Sequence, residues 1–443
     1  MFISDIADIN PETKKQFDNQ EHIKYLDTSN ITKNIIDEIQ FLVVGKDKIP
    51  SRAKRKVADK DIIYSTVRPN NKHFGFLDAP PKDLVVSTGF VVVRVDPKKA
   101  NPRFVYEYLT QDKFSDHLLN IGEDSTSTYP GIKPDDLSSI EIDLPPRSKQ
   151  NFISTFASII DNKINLYQKM NETLEEIAKT LFKSWFIDFD PVIAKVEGRS
   201  TELSKEISDL FPTSFEESKF GVIPQGWEVK RLDEVADFQN GYSFSSREYV
   251  LPNEDSKEVF RMGYIERGGG FKEDNTPVFV PTSSRGNQEK YVLRKNDLTI
   301  SMTDMKNNMQ ILGCCALIEQ DERFLLNQRV GRIRVKESAH ISPYYLYIFM
   351  NFPKNIDLLC SRANSGVQVN LSTPTIKETN IILPSKKLSQ YFAEIITPFY
   401  QKIFLNNVEL KNLKEFRNTL LPKLISGELK TSDVDKLIEE VGD

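Results

Sequence analysis

Basic and amide side chains are concentrated between Ser51 and His73 of this 443-residue chain, where the sequence reads SRAKRKVADKDIIYSTVRPNNKH. Lysine and arginine neutralise phosphates, and arginine and asparagine also form paired hydrogen bonds with base edges. The stretch carries both chemistries and therefore predicts nucleic-acid contacts, with a solvated charged loop as the alternative. The candidate residues are Arg52, Lys54, Arg55, Lys56, Arg68, Asn70, Asn71, Lys72 and His73.

A second group of polar side chains lies in the C-terminal half, within residues 285–294, 302–310 and 327–329. Two turns, residues 125–132 and 364–371, add hydroxyl and amide groups that either bind phosphates or simply connect neighbouring elements. From these segments the candidate contacts are Thr128, Tyr129, Arg285, Asn287, Lys306, Asn307, Asn308, Gln328, Arg329 and Gln368.

Motifs for catalysis are missing or weak. Neither a GxxxxGK[ST] nucleotide loop nor a GxGxxG fingerprint occurs, and no Pro-Pro pair follows the Asp or Asn of an amino-methyltransferase tetrapeptide. Acid-x-Lys fragments at residues 161–163 and 228–230 are short enough to recur by chance. Four scattered histidines and three cysteines indicate no metal site. We therefore predict a chain that is not an enzyme, with no catalytic, cofactor-binding or metal residues.

Composition narrows the class of protein further. The net charge of −5 excludes a chain that coats nucleic acid indiscriminately, because bulk attraction to phosphate needs a basic surface. Hydrophobic and charged fractions of 39% and 28% are typical of globular proteins, and the length predicts two to four folding units. No apolar run is long enough to span a membrane and no secretion signal opens the chain, so we expect a cytoplasmic protein.

The chain contains an internal duplication with a spacing of about 240 residues. Residues 60–65 match 296–301 and residues 90–95 match 330–335, and each pair has the pattern of a strand. Residues 102–109 match 343–350, each with proline at the first helical position. A strand ending in Leu-Pro closes each copy, at 140–145 and 380–384. The sequence therefore predicts two α/β (α+β) modules in tandem duplication.

Each module is followed by heptad periodicity, which predicts a long amphipathic helix. Asn406 and Arg417 interrupt the second stripe, and a polar residue at such a position commonly fixes register. We favour antiparallel pairing of the two helices as a coiled coil, with pseudo-two-fold symmetry, over packing of each helix on its own module. The seam residues are Ile153, Ile160, Tyr167, Leu174, Leu181, Phe392, Phe399, Ile403, Leu410, Leu413 and Leu420.

These patterns divide the chain into six segments. We predict a first module (residues 1–146), a central long helix (147–188), a linker (189–220), a second module (221–384), a distal long helix (385–427) and an acidic tail (428–443).

Several segments together resemble the specificity subunit of type I restriction-modification systems. Its central region resembles IDNKI at residues 160–164 and LFKSWFIDFDP at residues 181–191. The start of its second target-recognition domain is similar to GVIPQGW at residues 221–227, and its distal region to LLPKLISGEL at residues 420–429. The resemblance covers nearly the whole chain, and the combination of segments is more specific than any one of them.

The resemblance implies a function that the residues alone do not define. Each module would be a target-recognition domain reading one half of a bipartite site in double-stranded DNA. The paired helices would hold the modules apart and dock two modification (methyltransferase) subunits, with restriction (motor-nuclease) subunits completing the complex. S-adenosylmethionine, ATP and Mg are then expected on those partner subunits and not on this chain. A coiled-coil scaffold without DNA binding and a stand-alone endonuclease are the alternatives.

Overall fold

The structure is a computed structural model that describes residues 1–14, 21–124, 131–219, 221–273, 276–282, 288–305, 309–364, 366 and 368–430. The chain divides into two compact units. Unit 1 comprises residues 1–166 and 409–443, and unit 2 comprises residues 167–408. Each unit therefore contains one module and a part of each long helix.

Among its described residues, the first module has short strands and four α-helices. Its strands are β1 (Ala7–Ile9), β2 (His22–Leu26), β3 (Ile31–Thr32), β4 (Ile35–Ile36), β5 (Gln40–Val43), β6 (Ala53–Lys56), β7 (Ile62–Ser65), β8 (Phe74–Phe76), β9 (Leu84–Ser87) and β10 (Phe90–Val95). Its helices are α1 (Ile3–Ile6), α2 (Pro102–Leu109), α3 (Asp112–Asp124) and α4 (Pro134–Ser138). The central helix α5 (Arg147–Phe182) follows and continues into a π-helical turn, Lys183–Ile187.

The remainder of the chain is built from similar helices and strands. Helices α6 (Asp190–Val196) and α7 (Lys205–Ser208) precede strands β11 (Phe215–Ser218), β12 (Gly221–Pro224), β13 (Glu228–Arg231), β14 (Ala236–Asn240), β15 (Ser256–Phe260), β16 (Phe279–Pro281), β17 (Leu298–Ser301), β18 (Thr303–Met305), β19 (Cys315–Leu317), β20 (Phe324–Leu326), β21 (Val330–Val335), β22 (Gln368–Asn370) and β23 (Asn380–Leu383). The helices of the second module are α8 (Leu232–Val235), α9 (Pro343–Met350), α10 (Pro353–Ser361) and α11 (Thr373–Lys377), and the distal helix is α12 (Lys386–Ser426).

Strand order in the two modules shows the predicted duplication. The first module has a sheet β1-β10-β7-β8, and the second has β14-β21-β17-β19 in the same antiparallel order. In a second sheet of each module, β2 runs parallel to β9 and β15 runs parallel to β20. The paired strands that the sequence matched, residues 90–95 and 330–335, lie at equivalent positions next to the first strand of each sheet.

An ion pair between a half-buried arginine and a buried aspartate is repeated in both modules. Arg94 on β10 donates two hydrogen bonds, of 2.9 and 2.8 Å, to Asp61, and Arg334 on β21 donates bonds of 2.6 and 2.7 Å to Asp297. Both carboxylates are almost fully buried. Paired bonds of this kind are strong and directional, so they fix the start of β7 and β17 against the neighbouring strand. These two arginines therefore stabilise the fold.

Two segments differ from the sequence-based expectation. Residues 140–145 form no strand, because their partner is only the two-residue N-terminus, where Ile142 N donates to Met1 O at 2.8 Å. Residues 380–383, by contrast, pair with the full strand β13. The stretch 189–220, which composition predicts as a linker, forms α6, α7 and β11, and Val192 and Phe211 are buried in the core of unit 2.

Every predicted seam residue on the two long helices is buried or half-buried. In unit 2, Asn171 of α5 contacts Asn406 of α12 and Phe182 contacts Phe392, so the helices run antiparallel there. In unit 1, Ile153 and Ile160 share a core with Leu424 and with α2. Among the described residues, no helix combines the length and the apolar character needed to cross a membrane.

A buried cluster of four charges attaches α2 to the helices in unit 1. Glu107 accepts hydrogen bonds from Arg103 at 2.8 Å and from Arg417 of α12 at 2.9 Å. Arg417 also donates to Asp161 of α5 at 2.7 Å, and Arg103 donates to the same carboxylate. Glu107 is only 2% exposed. We call these four residues the charge quartet; its formal charges sum to zero.

An amide network joins α5 and α12 in unit 2. Asn171 bonds to both Asn406 and Asn407, at 2.8 and 2.9 Å, and Asn407 donates to Glu319 at 2.8 Å. Burial raises the pKa of Glu319 to about 7; the bond from Asn407 and the charge of Arg323 oppose this rise, and the charge of Glu273 adds to it.

We expect Glu319→Gln to remove a pH-dependent loss of stability in unit 2. A carboxyl group whose pKa is higher in the folded state contributes stability that is complete below about pH 4.5 and is lost as the pH rises through about 7. The variant should therefore match the wild type near pH 4 and exceed it by about 3 kcal/mol at pH 8. Thermal denaturation at both values measures this, with the exposed Glu322→Gln as control; parallel pH profiles would contradict it.

Candidate nucleic-acid interface

Backbone hydrogen bonds bring several predicted contact segments together in the first module. Thr66 N, at the start of the β7–β8 loop, donates to Gly89 O in the β9–β10 turn at 2.8 Å, and Ile132 N donates to Thr66 O at 2.9 Å. The same turn is joined to the start of β6, because Thr88 N donates to Arg52 O at 2.8 Å. Arg52 and the loop that carries Arg68 therefore lie on one face, which we call face 1.

The second module repeats this arrangement with different side chains. Met302 N donates to Arg329 O at 2.9 Å, and Leu371 N donates to Met302 O at 2.8 Å. Strand β18 also pairs with β22, so Gln368 lies opposite Met305. The candidates Gln328, Arg329 and Gln368 are thus assembled on an equivalent surface, face 2, although they are distant in sequence.

Left-handed backbone conformations mark the candidate loops. Arg68 and Lys72 flank the 3₁₀ turn Pro69–Asn71 with φ values of 49° and 55°, and Arg329 has φ of 70°. Such conformations are uncommon for residues other than glycine and concentrate at functional sites. Pro69 is buried, whereas Arg68, Asn70 and Asn71 are exposed, so the turn is anchored and presents its polar side chains to solvent.

Some of the other predicted cationic side chains are bonded to other side chains of this protein. Lys72 forms an ion pair with Asp112 on α3, and Lys56 lies 3.6 Å from Glu12. Arg55 is half-buried and donates to Thr13 at 3.2 Å, and its burial lowers the pKa of the guanidinium. These contacts reduce the charge available for phosphate. Lys54, by contrast, is exposed on β6.

His73 connects the candidate loop to a hairpin that the sequence did not single out. Its Nδ1 lies 2.6 Å from Ile31 O and 3.2 Å from Thr32 Oγ1. The remaining candidates lie outside the described residues and stay predictions: Thr128, Tyr129, Arg285, Asn287, Lys306, Asn307 and Asn308. Among the residues that the structure describes, no group of His, Cys, Asp or Glu side chains is arranged to hold a metal ion.

The chain thus contains two modules with equivalent loop faces, and a long helix follows each module. The family model described as the type I restriction modification DNA specificity domain matches residues 1–176 and 224–415. The match covers most of the chain, so the chain belongs to the family of type I restriction-modification specificity subunits.

Individual relatives and one solved structure agree with this assignment. The type I restriction enzyme HindI specificity subunit of Haemophilus influenzae is 26% identical, over 96% of this chain and 98% of its own. The MjaIX specificity subunit of Methanocaldococcus jannaschii is 26% identical, over 95% and 87%. The type I restriction-modification S subunit of M. genitalium aligns with a TM-score of 0.56 at 15% identity, over 96% and 95%, and shows the same fold. The predicted family and tandem fold are confirmed.

Proposed function

We propose that this chain reads a bipartite sequence in double-stranded DNA, with face 1 on one half-site and face 2 on the other. The observation that carries the proposal is the repeated hydrogen-bond pattern of the two faces. In face 1 the backbone of Thr66 is hydrogen-bonded to Gly89 and Ile132, and in face 2 the backbone of Met302 is bonded to Arg329 and Leu371 in the same way. The side chains at these equivalent positions differ between the two faces. A common scaffold with unlike loops is suited to two unlike half-sites.

The proposal makes this chain the non-catalytic subunit of a larger assembly. Two modification subunits would supply S-adenosylmethionine and methyl transfer, and restriction subunits would supply ATP- and Mg-dependent cleavage, in the cytoplasm where chromosomal DNA lies. Exposed apolar side chains on the long helices support docking of such partners: in unit 1, Ile159 and Leu166 are more than half exposed, and in unit 2, so is Leu405. Phe416 in unit 1, and Ile177 and Val408 in unit 2, are also exposed on these helices, and several exposed apolar side chains on one element, unlike single ones, mark an interaction surface.

Replacing Arg68 or Asn71 by Ala should weaken recognition of one half-site only. A paired hydrogen bond to a base edge is worth about 1–3 kcal/mol of discrimination, which is about 5- to 150-fold in affinity. Binding of the complex with its modification subunits would be measured on duplexes altered in either half-site, after the target has been identified from methylated positions. Lys98→Ala, an exposed cation elsewhere in the first module, is the matched control.

Two results would contradict the proposal. Equal binding of all duplexes by the complete complex would favour a scaffold that does not recognise DNA sequence. Metal-dependent cleavage of DNA by the purified chain would favour a stand-alone endonuclease. A uniform loss for Arg68→Ala on every duplex would reassign that residue to phosphate binding.

A further inference from the structure

Asn240 is the last residue of β14 and is exposed beside face 2. The backbone that follows it is bonded to the turn that carries Arg329, because Gly241 N donates to Val330 O at 3.1 Å. A Cβ atom on Gly241 would lie 1.8 Å from Asn327 O, so only glycine allows this close approach. The position of Asn240 relative to Arg329 is therefore fixed by the backbone.

The side chain of Asn240 is oriented by a second segment of face 2. The hydroxyl of Thr373 donates to Asn240 Oδ1 at 3.0 Å, and Thr373 follows Leu371, whose N–H is bonded to Met302 O. Oδ1 has two lone pairs and so retains one acceptor position, and among the described residues Nδ2 donates to no acceptor. Neighbouring Gln239 differs, because its Nε2 donates to the backbone oxygen of Asn240 at 2.8 Å. Asn240 is thus the amide that β14 presents to solvent.

The segments around Asn240 are polar and carry little charge. Residues 238–242, 300–303, 327–331 and 369–375 contain a series of amide and hydroxyl side chains, and their one charged side chain is that of Arg329. Two acids directly adjoin these segments: Asp304 accepts from two backbone N–H groups, at 2.8 and 2.9 Å, and Asp237 lies opposite Arg334 in the sheet. A surface of hydrogen-bonding groups with a cation and no acid is suited to base edges that lie between phosphates.

The first module carries no amide at the equivalent position. The first strands of the two sheets align on the aspartates that lie opposite Arg94 and Arg334, so Pro11 corresponds to Asn240. Proline has no side-chain donor or acceptor, and the following residue, Glu12, is bonded to Arg94 at 2.7 Å. Comparison of the two copies therefore does not reveal Asn240 from the sequence, and a contact made by this side chain belongs to the second module alone.

We propose that Asn240 is a specificity-determining residue that reads one adenine in the half-site of the second module. Its Nδ2 would donate to adenine N7 and its Oδ1 would accept from N6, which is the paired contact that asparagine makes with adenine in the major groove. Thr373 is a positioning residue, because its hydroxyl holds the amide in this orientation. The inference rests on the proposed function, since it requires that face 2 meets DNA.

Substitution by 7-deazaadenine tests the contact directly, because it replaces N7 by a C–H group and leaves base pairing intact. Each adenine of the identified target would be replaced singly, and binding of the complex with its modification subunits measured. We expect a loss of about fivefold at one adenine in one half-site, the value of about one hydrogen bond. Asn240→Asp keeps the shape and the bond from Thr373 but loses the donor. This variant and Asn240→Ala should therefore bind the adenine and 7-deazaadenine duplexes equally.

Two further variants separate positioning from reading. Thr373→Val removes the hydroxyl and keeps the shape, so the 7-deazaadenine effect should become smaller without disappearing, because the amide is still present but is no longer held. Asn253→Ala replaces an exposed asparagine elsewhere in the second module and should retain the full effect. A full effect in Thr373→Val would remove the positioning role from Thr373.

The outcomes separate this inference from the function on which it rests. A wild-type complex that discriminates its target but shows no 7-deazaadenine effect, or Asn240 variants that retain the effect, would overturn the adenine contact alone. Weaker binding of Asn240→Ala to every duplex, with the 7-deazaadenine effect retained, would reassign Asn240 to the DNA backbone. A complex without any preferred target would overturn the proposed function itself.

Discussion

Arg417→Met is expected to lower the free energy of unfolding of unit 1 by about 3–5 kcal/mol, because it breaks a buried ion cluster from one side. In the charge quartet Arg417 bonds to Glu107 at 2.9 Å and to Asp161 at 2.7 Å. Methionine fills most of the volume but leaves two carboxylates with Arg103 as their one guanidinium. An uncompensated buried charge costs more than the pair contributes when intact.

The direction of the pH effect follows from the burial of Glu107. Desolvation already raises the pKa of this carboxyl group, against the attraction of Arg417 and Arg103. Removal of Arg417 should raise this pKa further. The destabilisation should therefore shrink as the pH falls and a proton neutralises the site. Urea denaturation at pH 5 and pH 8, detected by hydrogen exchange of the α2 amides, measures the loss of stability and its dependence on pH.

The second unit supplies the matched control for this substitution. By the internal repeat, Arg103, Glu107, Asp161 and Arg417 correspond to Tyr344, Ile348, Tyr400 and Ala178. Tyr344 and Tyr400 stack there with ring centroids 4.8 Å apart, and Ala178 is buried.

Replacing all four residues of the charge quartet by their unit 2 counterparts should restore most of the stability, because well-packed hydrophobic residues can replace a buried ion cluster. A loss below 1 kcal/mol for Arg417→Met alone would show that water reaches the site and solvates the carboxylates.

The polar interruptions of the helical stripe show what the sequence could and could not predict. Asn406 and Arg417 stood out because they break a heptad pattern, and both are indeed held in specific polar contacts. The partner Glu107 could not be predicted from the heptads, because it lies in the first module, more than 300 residues before Arg417. Periodicity identifies a position that faces a neighbour, but it does not identify the neighbour.

The sequence likewise predicted some parts of the candidate interface and missed others. The duplication predicted that the loops after residues 65 and 301 are equivalent, and the shared hydrogen bonds of Thr66 and Met302 agree with this. The hairpin at residues 31–36 was missed because its strands are two residues long and its turn, Lys33-Asn34, lacks the glycine that usually marks such turns. Ion pairs such as Lys72 with Asp112 depend on a helix 40 residues away, so charge counting along the chain overestimates the cations available to DNA.

Phe392→Ala is expected to destabilise unit 2 by about 3–5 kcal/mol, the usual range for a fully buried aromatic side chain. Phe392 of α12 is completely buried, and its ring centroid lies 4.9 Å from that of Phe186 and 5.9 Å from those of Phe182 and Trp185. Tyr345 of α9 completes the cluster at 6.1 Å. Deleting the ring therefore opens a cavity where α12, the end of α5 and the second module meet.

The consequence for recognition follows from what the cluster joins. Phe186 also contacts Trp227 at 5.8 Å, so the start of the second module is held by the same aromatic side chains. In the Phe392→Ala variant, faster hydrogen exchange should appear in α9 and near Trp227, and discrimination should fall at the half-site of the second module. Leu405→Ala, an exposed position on the same helix, should change stability by less than about 0.5 kcal/mol. Unchanged exchange in α9 would mean that the module is held by its own core and not by the helix.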